Sequence, residues 1–285
     1  MRNDPLTPYP LSIPIQEGSK VSQIFLPDKA LQGSRLSAPS TPNKLLNRLL
    51  ASDSGSLSSQ IRVVRLGFND IIYEYGDQID DLFFPLDSIV SSLAIMEDGT
   101  TIEISMVGNE GVLGLSALLG GGAARHWTRM CIGGSLARVN KGALDQLFVS
   151  NGTALKYIMR SYGSLITQIS QRAVCNARHT VLERLACWLL MVHDRAGGEN
   201  LKLTQEAIAS RLGARRAGVT VAAGTLQSIG AIEYRRGQLH IKDREGLEQA
   251  VCECYSVLKA EFEGVKTWTS FSLPPKKLGL LSVNE

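Results

Sequence analysis

Between Leu203 and Ser228 two helical stripes are separated by a single glycine, Gly213, and no other stretch restricts the fold as narrowly. Thr204 can N-cap the first stripe, and Glu206 falls in its first turn, where a carboxylate favours the helix dipole. Ile208 and Leu212 make the buried side, and Ala209 is small where a second helix must cross closely. Gly213 supplies the left-handed residue that ends a helix and allows a tight turn. The second helix is expected from about Arg216, with Val219, Ala222, Ala223 and Leu226 facing inward. After Gly230, the string AIEYRRGQLHI alternates Ile232, Tyr234, Leu239 and Ile241 around Arg236-Gly237, which predicts a two-strand wing. Asp243 is then expected to cap a final helix running through Leu247, Val251 and Tyr255.

Charge points the same way by its location. The whole chain is +3, but Lys202 to Arg244 holds eight Lys or Arg against three acids, a local +5 that leaves −2 elsewhere. A helix-turn-helix presents the N-terminal end of its second helix to the major groove of double-stranded DNA. Arg215, Arg216 and Thr220 are therefore the candidate DNA contacts. The planar fork of Arg216 suits guanine O6 and N7, whereas Arg215 and Thr220 suit phosphates, with Thr204 and Gln205 touching the backbone from the first helix. Ala217 and Val221 are apolar on the same face and suit thymine methyl groups. From the wing, Arg235, Arg236 and His240 are expected to point at phosphates. The plainer readings are a solvated helix end and a purely structural hairpin; four arginines in one module favour the nucleic-acid reading.

Upstream, the pattern changes twice. Residues 1–43 are rich in Pro, Ser, Gly and Asn without periodic apolar residues, which predicts a disordered extension. NKLLNRLL from Asn43 reads as a short amphipathic helix, and the Ser-rich stretch 52–60 as a loose connection. From 61 to 140, short apolar runs separated by Gly- and Asp-rich clusters indicate an all-β sandwich or barrel, with Asp98-Gly99 as a type I′ hairpin turn. Leu155, Ile158, Tyr162, Leu165 and Ile169 then advance by three and four residues, with Met159 and Ile166 widening the stripe. This is a helix that either packs on its own β-domain or pairs with its copy across a two-fold axis. Val181 to Arg195 is apolar nearly all round, hence a buried helix that Gly197-Gly198 ends.

In order along the chain, IIYEYGD (71–77), LFFPLDSIVS (82–91), VGNEGVLG (107–114), LTQEAIASRLGARRAGVT (203–220) and YRRGQLHIKDREGLE (234–248) resemble the CRP/FNR family of bacterial transcription regulators, over residues 43 to 265. The resemblance implies an α+β chain. It comprises a double-stranded β-helix of the cyclic-nucleotide-binding type (44–152), a dimerisation helix (153–176) and a winged helix-turn-helix (177–265), between the extension and a tail (266–285). It also implies a homodimer on a roughly palindromic operator, a β-roll that senses a small-molecule effector, and RNA polymerase as a partner. The effector pocket would lie around Gly114, Leu115, Arg125, Trp127 and Arg129. Cyclic-nucleotide binders of this family place Glu where this chain has Leu115, and an Arg beside a small residue where it reads ARHWTRM, so a cyclic phosphate would lack its charge-assisted bonds. The N-terminal segment has no cysteine for an iron-sulfur cluster. The rival reading is a ligand-sensing or protein-interaction module whose helix-turn-helix no longer binds DNA specifically.

Other constellations point to no catalysis, cofactor or metal. The five cysteines (131, 175, 187, 252 and 254) are odd in number and lack a CxxC pair, which argues against a disulfide framework and a four-ligand zinc site. On one helix Cys252 and Cys254 would diverge by about 200°. His126, His179, His193 and His240 are scattered, Asp77, Asp80 and Asp81 sit beside a turn, and Gly120 to Gly122 lack the Lys-Ser/Thr of a phosphate loop. No apolar run reaches the roughly 20 residues of a membrane span. With a proline-rich start unlike a signal peptide, a cytoplasmic protein is expected.

Overall fold

The computed structural model describes residues 34–35, 40–53, 55–196 and 200–267. Short strand β1 (Ser34–Arg35) precedes helices α1 (Lys44–Ser52) and α2 (Ser56–Gln60). Eight-stranded sheet material then follows as β2 (Arg62–Leu66), β3 (Ile71–Tyr73), β4 (Asp81–Pro85), β5 (Ile89–Ile95), β6 (Thr101–Val107), β7 (Trp127–Ile132) and β8 (Gly134–Asn140), with β1 included and the short α3 (Leu115–Leu118) between β6 and β7. Helices α4 (Lys141–Ser150), α5 (Gly152–Arg178) and α6 (Val181–Ala196) lead to β9 (Asn200–Lys202), α7 (Gln205–Leu212), α8 (Arg216–Ser228), β10 (Ile232–Arg235), β11 (Gln238–Ile241), α9 (Arg244–Ala250) and α10 (Cys254–Thr267).

The strands before α4 form two antiparallel four-stranded sheets, β1-β2-β8-β4 and β3-β7-β5-β6, the expected roll. Val64, Phe83, Val90, Met130 and Leu136 fill the space between the sheets. The outer face of the first sheet, through Leu82, Phe84, Ala137 and Val139, packs on α1, α4 and the start of α5. The outer face of the second, through Ile89, Met106 and Cys131, joins the core of α6 to α9. Apolar burial is thus continuous from the roll into the C-terminal unit.

Most of the expected 1–43 extension lies outside the described residues. Its end does not behave as an extension: Ser34 and Arg35 pair with Val63 and Arg62. Thr41 and Asn43 are buried, and Asn43 caps α1 while its amide donates to the carbonyls of Pro85 and Gly111, both at 2.9 Å. A sequence rich in loop formers is held here by side-chain bonds to the roll, which periodicity does not register. The Ser-rich connection is likewise not loose, since α2 buries Leu57. The β5–β6 hairpin closes through a three-residue loop with Met96 and Thr100 bonded and Gly99 alone at positive φ, +81°. Asp98 instead accepts from the Thr100 amide at 2.9 Å, so the expected I′ turn is replaced by a turn with a left-handed glycine at its end. The I′ signature occurs in the wing, where Arg236 (φ +49°) and Gly237 (φ +75°) are both left-handed.

Candidate nucleic-acid interface

The helix-turn-helix forms where the local chemistry directs it. The Thr204 hydroxyl accepts from the Ala207 amide at 3.1 Å, and Gly213 ends α7 at φ +56°. Ile208, Ala209 and Leu212 from α7 meet Val219, Ala222, Ala223 and Leu226 from α8 and the long apolar side of α6. A Cβ on Gly213 would stand 3.1 Å from Ile102 Cγ1 on the neighbouring roll strand. Gly213→Ala is therefore expected to lower unfolding free energy by about 1–2 kcal/mol from the left-handed backbone alone. Urea denaturation measures this, and an unchanged midpoint would remove the turn from the stability argument.

The expected DNA-facing residues share one surface. Arg215, Arg216, Ala217, Thr220 and Val221 are all exposed along the first two turns of α8, with Val221 at 70%. The Thr220 hydroxyl donates to Gln205 Oε1 at 2.7 Å, so these two polar residues also tie the two helices together. Tyr234 donates to the Leu203 carbonyl at 2.8 Å, anchoring the wing beside α7. Burial raises the Tyr234 hydroxyl above its ordinary pKa, and the nearby Arg216 charge offsets part of this. The wing has a third strand, because β9 pairs with β11 through Leu201 and Leu239. Arg235 and Arg236 are exposed at the wing tip, whereas His240 is half-buried between Glu233 and Asn200 in the sheet register and stands back from the tip.

A cleft of about 780 Å³ separates the start of α8 from the β5–β6 hairpin, lined by Asp98, Thr101 and Ile102 on one side and Ser210, Arg215 and Arg216 on the other. At its floor the Thr101 and Ser210 hydroxyls are hydrogen-bonded. Just beneath lies a buried polar node that sequence reasoning missed. Glu103 Oε1 accepts from Trp188 Nε1 at 3.0 Å and faces Arg172 at 3.4 Å, while Oε2 accepts from Ser91 at 2.5 Å and faces Arg211 at 3.4 Å. Glu103, Arg172 and Arg211 are 8% exposed or less. The available signals were a carboxylate on the buried face of strand TIEIS and an arginine inside the Ile208–Leu212 stripe, since buried charges require partners.

The roll contains a second cavity, of about 410 Å³, between its sheets and α5. Gly114, Leu115 and Arg125 line it as expected. Trp127 and Arg129 lie outside the lining, because inward and outward positions alternate along β7 and Thr128 takes the inward one. The Arg129 guanidinium lies 5.2 Å from the Trp127 ring. His126, Ser92, Ser105, Ser116, Tyr73 and Tyr162 add further polar groups to the lining. Partial desolvation lowers the His126 pKa below its ordinary value.

On α5, the face turned to the roll carries Ala154, Ile158, Ser161, Gln168 and Arg172. Ile158 is thus internal to one chain rather than at an outer seam, and Leu165 packs half-buried on the same core. The exposed apolar residues of α5 are Leu155, Met159, Ile166 and Val174, at 42, 48, 44 and 50%, with half-buried Tyr162 and Ile169 in line; Tyr162, Ile166 and Ile169 also border the roll cavity. Near the chain's end the expected final helix is two helices. Val251 is extended (φ −91°, ψ 152°) between α9 and α10, so Cys252 and Cys254 both turn inward instead of diverging. Among the described residues no helix is long and apolar enough to cross a membrane.

Residues 183–250 match the model of the Crp-like helix-turn-helix domain. No curated protein sequence matches the chain. In structure it is similar to FixK2 from Bradyrhizobium japonicum, at 18% identity and TM-score 0.59 over 67% of this chain and 98% of that one. A CRP-family transcriptional regulator from Thermus thermophilus superposes with TM-score 0.57 at 18% identity, over 65% and 95% of the two chains. The c-di-GMP responsive global regulator CLP of Xanthomonas campestris gives 0.55 at 17% identity, over 69% and 97%. Residues 183–250 are a Crp-like helix-turn-helix domain, and about two thirds of the chain takes the fold seen in solved CRP/FNR-type transcriptional regulators.

Proposed function

We propose that the protein regulates transcription in the cytoplasm by binding a palindromic operator as a homodimer, with Arg216 reading a base and Arg215, Thr220, Arg235 and Arg236 holding phosphates. The observation that carries this is the exposed, arginine-bearing N-terminal end of α8 within a Crp-like helix-turn-helix domain. Thr204 and Gln205 support the backbone contacts, and Ala217 and Val221 offer methyl contacts beside Arg216. A two-fold axis along the Leu155, Met159, Tyr162, Ile166 and Ile169 seam of α5 supplies the second half-site reader. Residues 44–152 act as the sensor, 153–176 as the dimer helix and 177–265 as the reader.

The β6 strand suggests how an effector in the roll is felt by the reader. Ser105 and Val107 line the roll cavity, Glu103 holds the polar node, and Thr101 and Ile102 touch α7 and Gly213. The cavity is apolar at Ile79, Ile104, Val107 and Leu113 and lacks a carboxylate at Leu115, which favours an effector other than a cyclic nucleotide.

Footprinting on DNA upstream of the protein's own gene tests the reading. A protected palindrome is expected, and Arg216→Ala should cost about 1–3 kcal/mol of discrimination at one position of each half-site. Equal, weakly salt-dependent retention of arbitrary DNA by both proteins would overturn specific recognition and favour a helix-turn-helix that serves protein contacts.

A further inference from the structure

Cys175 and His179 stand one turn apart at the C-terminal end of α5, while Cys252 lies in the break between α9 and α10 and Cys254 opens α10. Their three Sγ atoms and a ring nitrogen of His179 all lie within 4.8 Å of one another. Cys175 Sγ is 3.6 Å from Cys252 Sγ, and Cys254 Sγ is 3.4 Å from His179 Nδ1. A tetrahedral zinc ion with Zn–S of about 2.3 Å and Zn–N of about 2.0–2.1 Å requires S···S edges of about 3.8 Å and S···N edges of about 3.6 Å. We propose that Cys175, His179, Cys252 and Cys254 bind one zinc ion as a closed, structural Cys3His site.

Three further observations bear on the ion and its role. With Nδ1 on the metal, the other ring nitrogen of His179 donates to Glu253, whose Oε2 is 3.3 Å from Nε2, the carboxylate-histidine arrangement that orients metal-bound imidazoles. The cysteines are 6, 5 and 0% exposed, which excludes water from a fourth position and favours a structural over a catalytic site. Three thiolates on Zn²⁺ leave a net −1, and the cavity beside Cys175 is lined by Arg172 and Arg184, whose Nε atoms are buried without hydrogen-bond partners. Binding releases the three thiol protons to solvent and moves no electrons. The ligands join the end of the long helix to the α9–α10 link, so the ion would clamp the C-terminal helix of the reader onto α5 and fix the angle at which the winged unit leaves the roll.

The test uses the full-length protein purified with reductant and without chelator. Elemental analysis should find one zinc per chain, and Co²⁺ added after zinc removal should give the intense visible bands of a tetrahedral thiolate-rich site. Cys175→Ala and Cys254→Ala should abolish both signals, and Cys131→Ala, in the roll, should keep them. Should the cysteine variants fail to fold, Glu253→Ala alters a residue whose side chain is 80% exposed and should weaken zinc by about 10–100-fold with the fold intact. Wild-type protein with no retained zinc and an octahedral Co²⁺ spectrum would overturn the proposal. So would a Cys175–Cys252 disulfide, seen by intact mass in reductant-purified protein.

Discussion

Replacing Glu103 with leucine is expected to lower the unfolding free energy by about 3–5 kcal/mol, the cost of leaving a buried countercharge uncompensated. Arg172 and Arg211 both face this carboxylate at 3.4 Å, and both are buried, so neither can recover its hydration without opening the contact between the roll and α7. At roughly 2–4 °C per kcal/mol for a chain near this size, the thermal midpoint should fall by about 6–20 °C. Trp188 also loses the acceptor for its indole N–H, so its fluorescence should report the change directly. The triple variant Glu103→Leu, Arg172→Met, Arg211→Met replaces the whole node by apolar groups and should recover much of the loss. If Glu103→Leu alone melts with the parent protein, the node does not join the two units. If it melts early yet footprints DNA with unchanged affinity and effector response, β6 is not the route between cavity and reader.

The second large effect concerns assembly. Met159→Glu with Ile166→Glu should convert a dimer into a monomer in sedimentation, because the two-fold axis would bring four carboxylates into one apolar seam, each costing several kcal/mol to desolvate. Both side chains are about half exposed in the single chain; Met159 lies outside the lining of the roll cavity, whereas Ile166 also borders it. Operator binding should fall with the dimer, since in the proposed assembly each protomer would read one half-site. Val149→Glu is the control: Val149 is 91% exposed on α4, outside the helix that carries the seam, and the sedimenting assembly should remain a dimer. An unaltered dimer in the double variant would place the interface elsewhere. The choice of Met159 and Ile166 over Leu165 and Ile169 follows from packing. One apolar stripe wider than a coiled-coil seam must serve two neighbours, and the roll takes the side that carries Ile158.

Much of the fold was legible because it rests on contacts close along the chain. Thr204, Gly213 and the Val219–Leu226 stripe act over one or two turns, and alternation in 61–140 marks strands wherever one face is buried. The family resemblance supplied the order of domains. Legibility failed where local rules competed: the Asp98-Gly99 dipeptide satisfies two hairpin types, and the loop length selected the one with Asp98 bonded to Thr100. It failed again at Val251, where a continuous helix would have exposed one of two cysteines that the structure buries together.

The sequence by itself determined that α8 would present arginines at its N-terminal end, since capping, helical period and the left-handed glycine are set by neighbouring residues. Only the tertiary structure decided what those arginines stand beside and what holds them there. Glu103 meets Arg211 across 108 residues, and Cys175 meets Cys252 across 77. Such groups share no local spacing. They converge because the apolar faces of β6, α5 and α6 pack first in one arrangement, which leaves each buried charge and thiol with only the partners that this packing brings within reach.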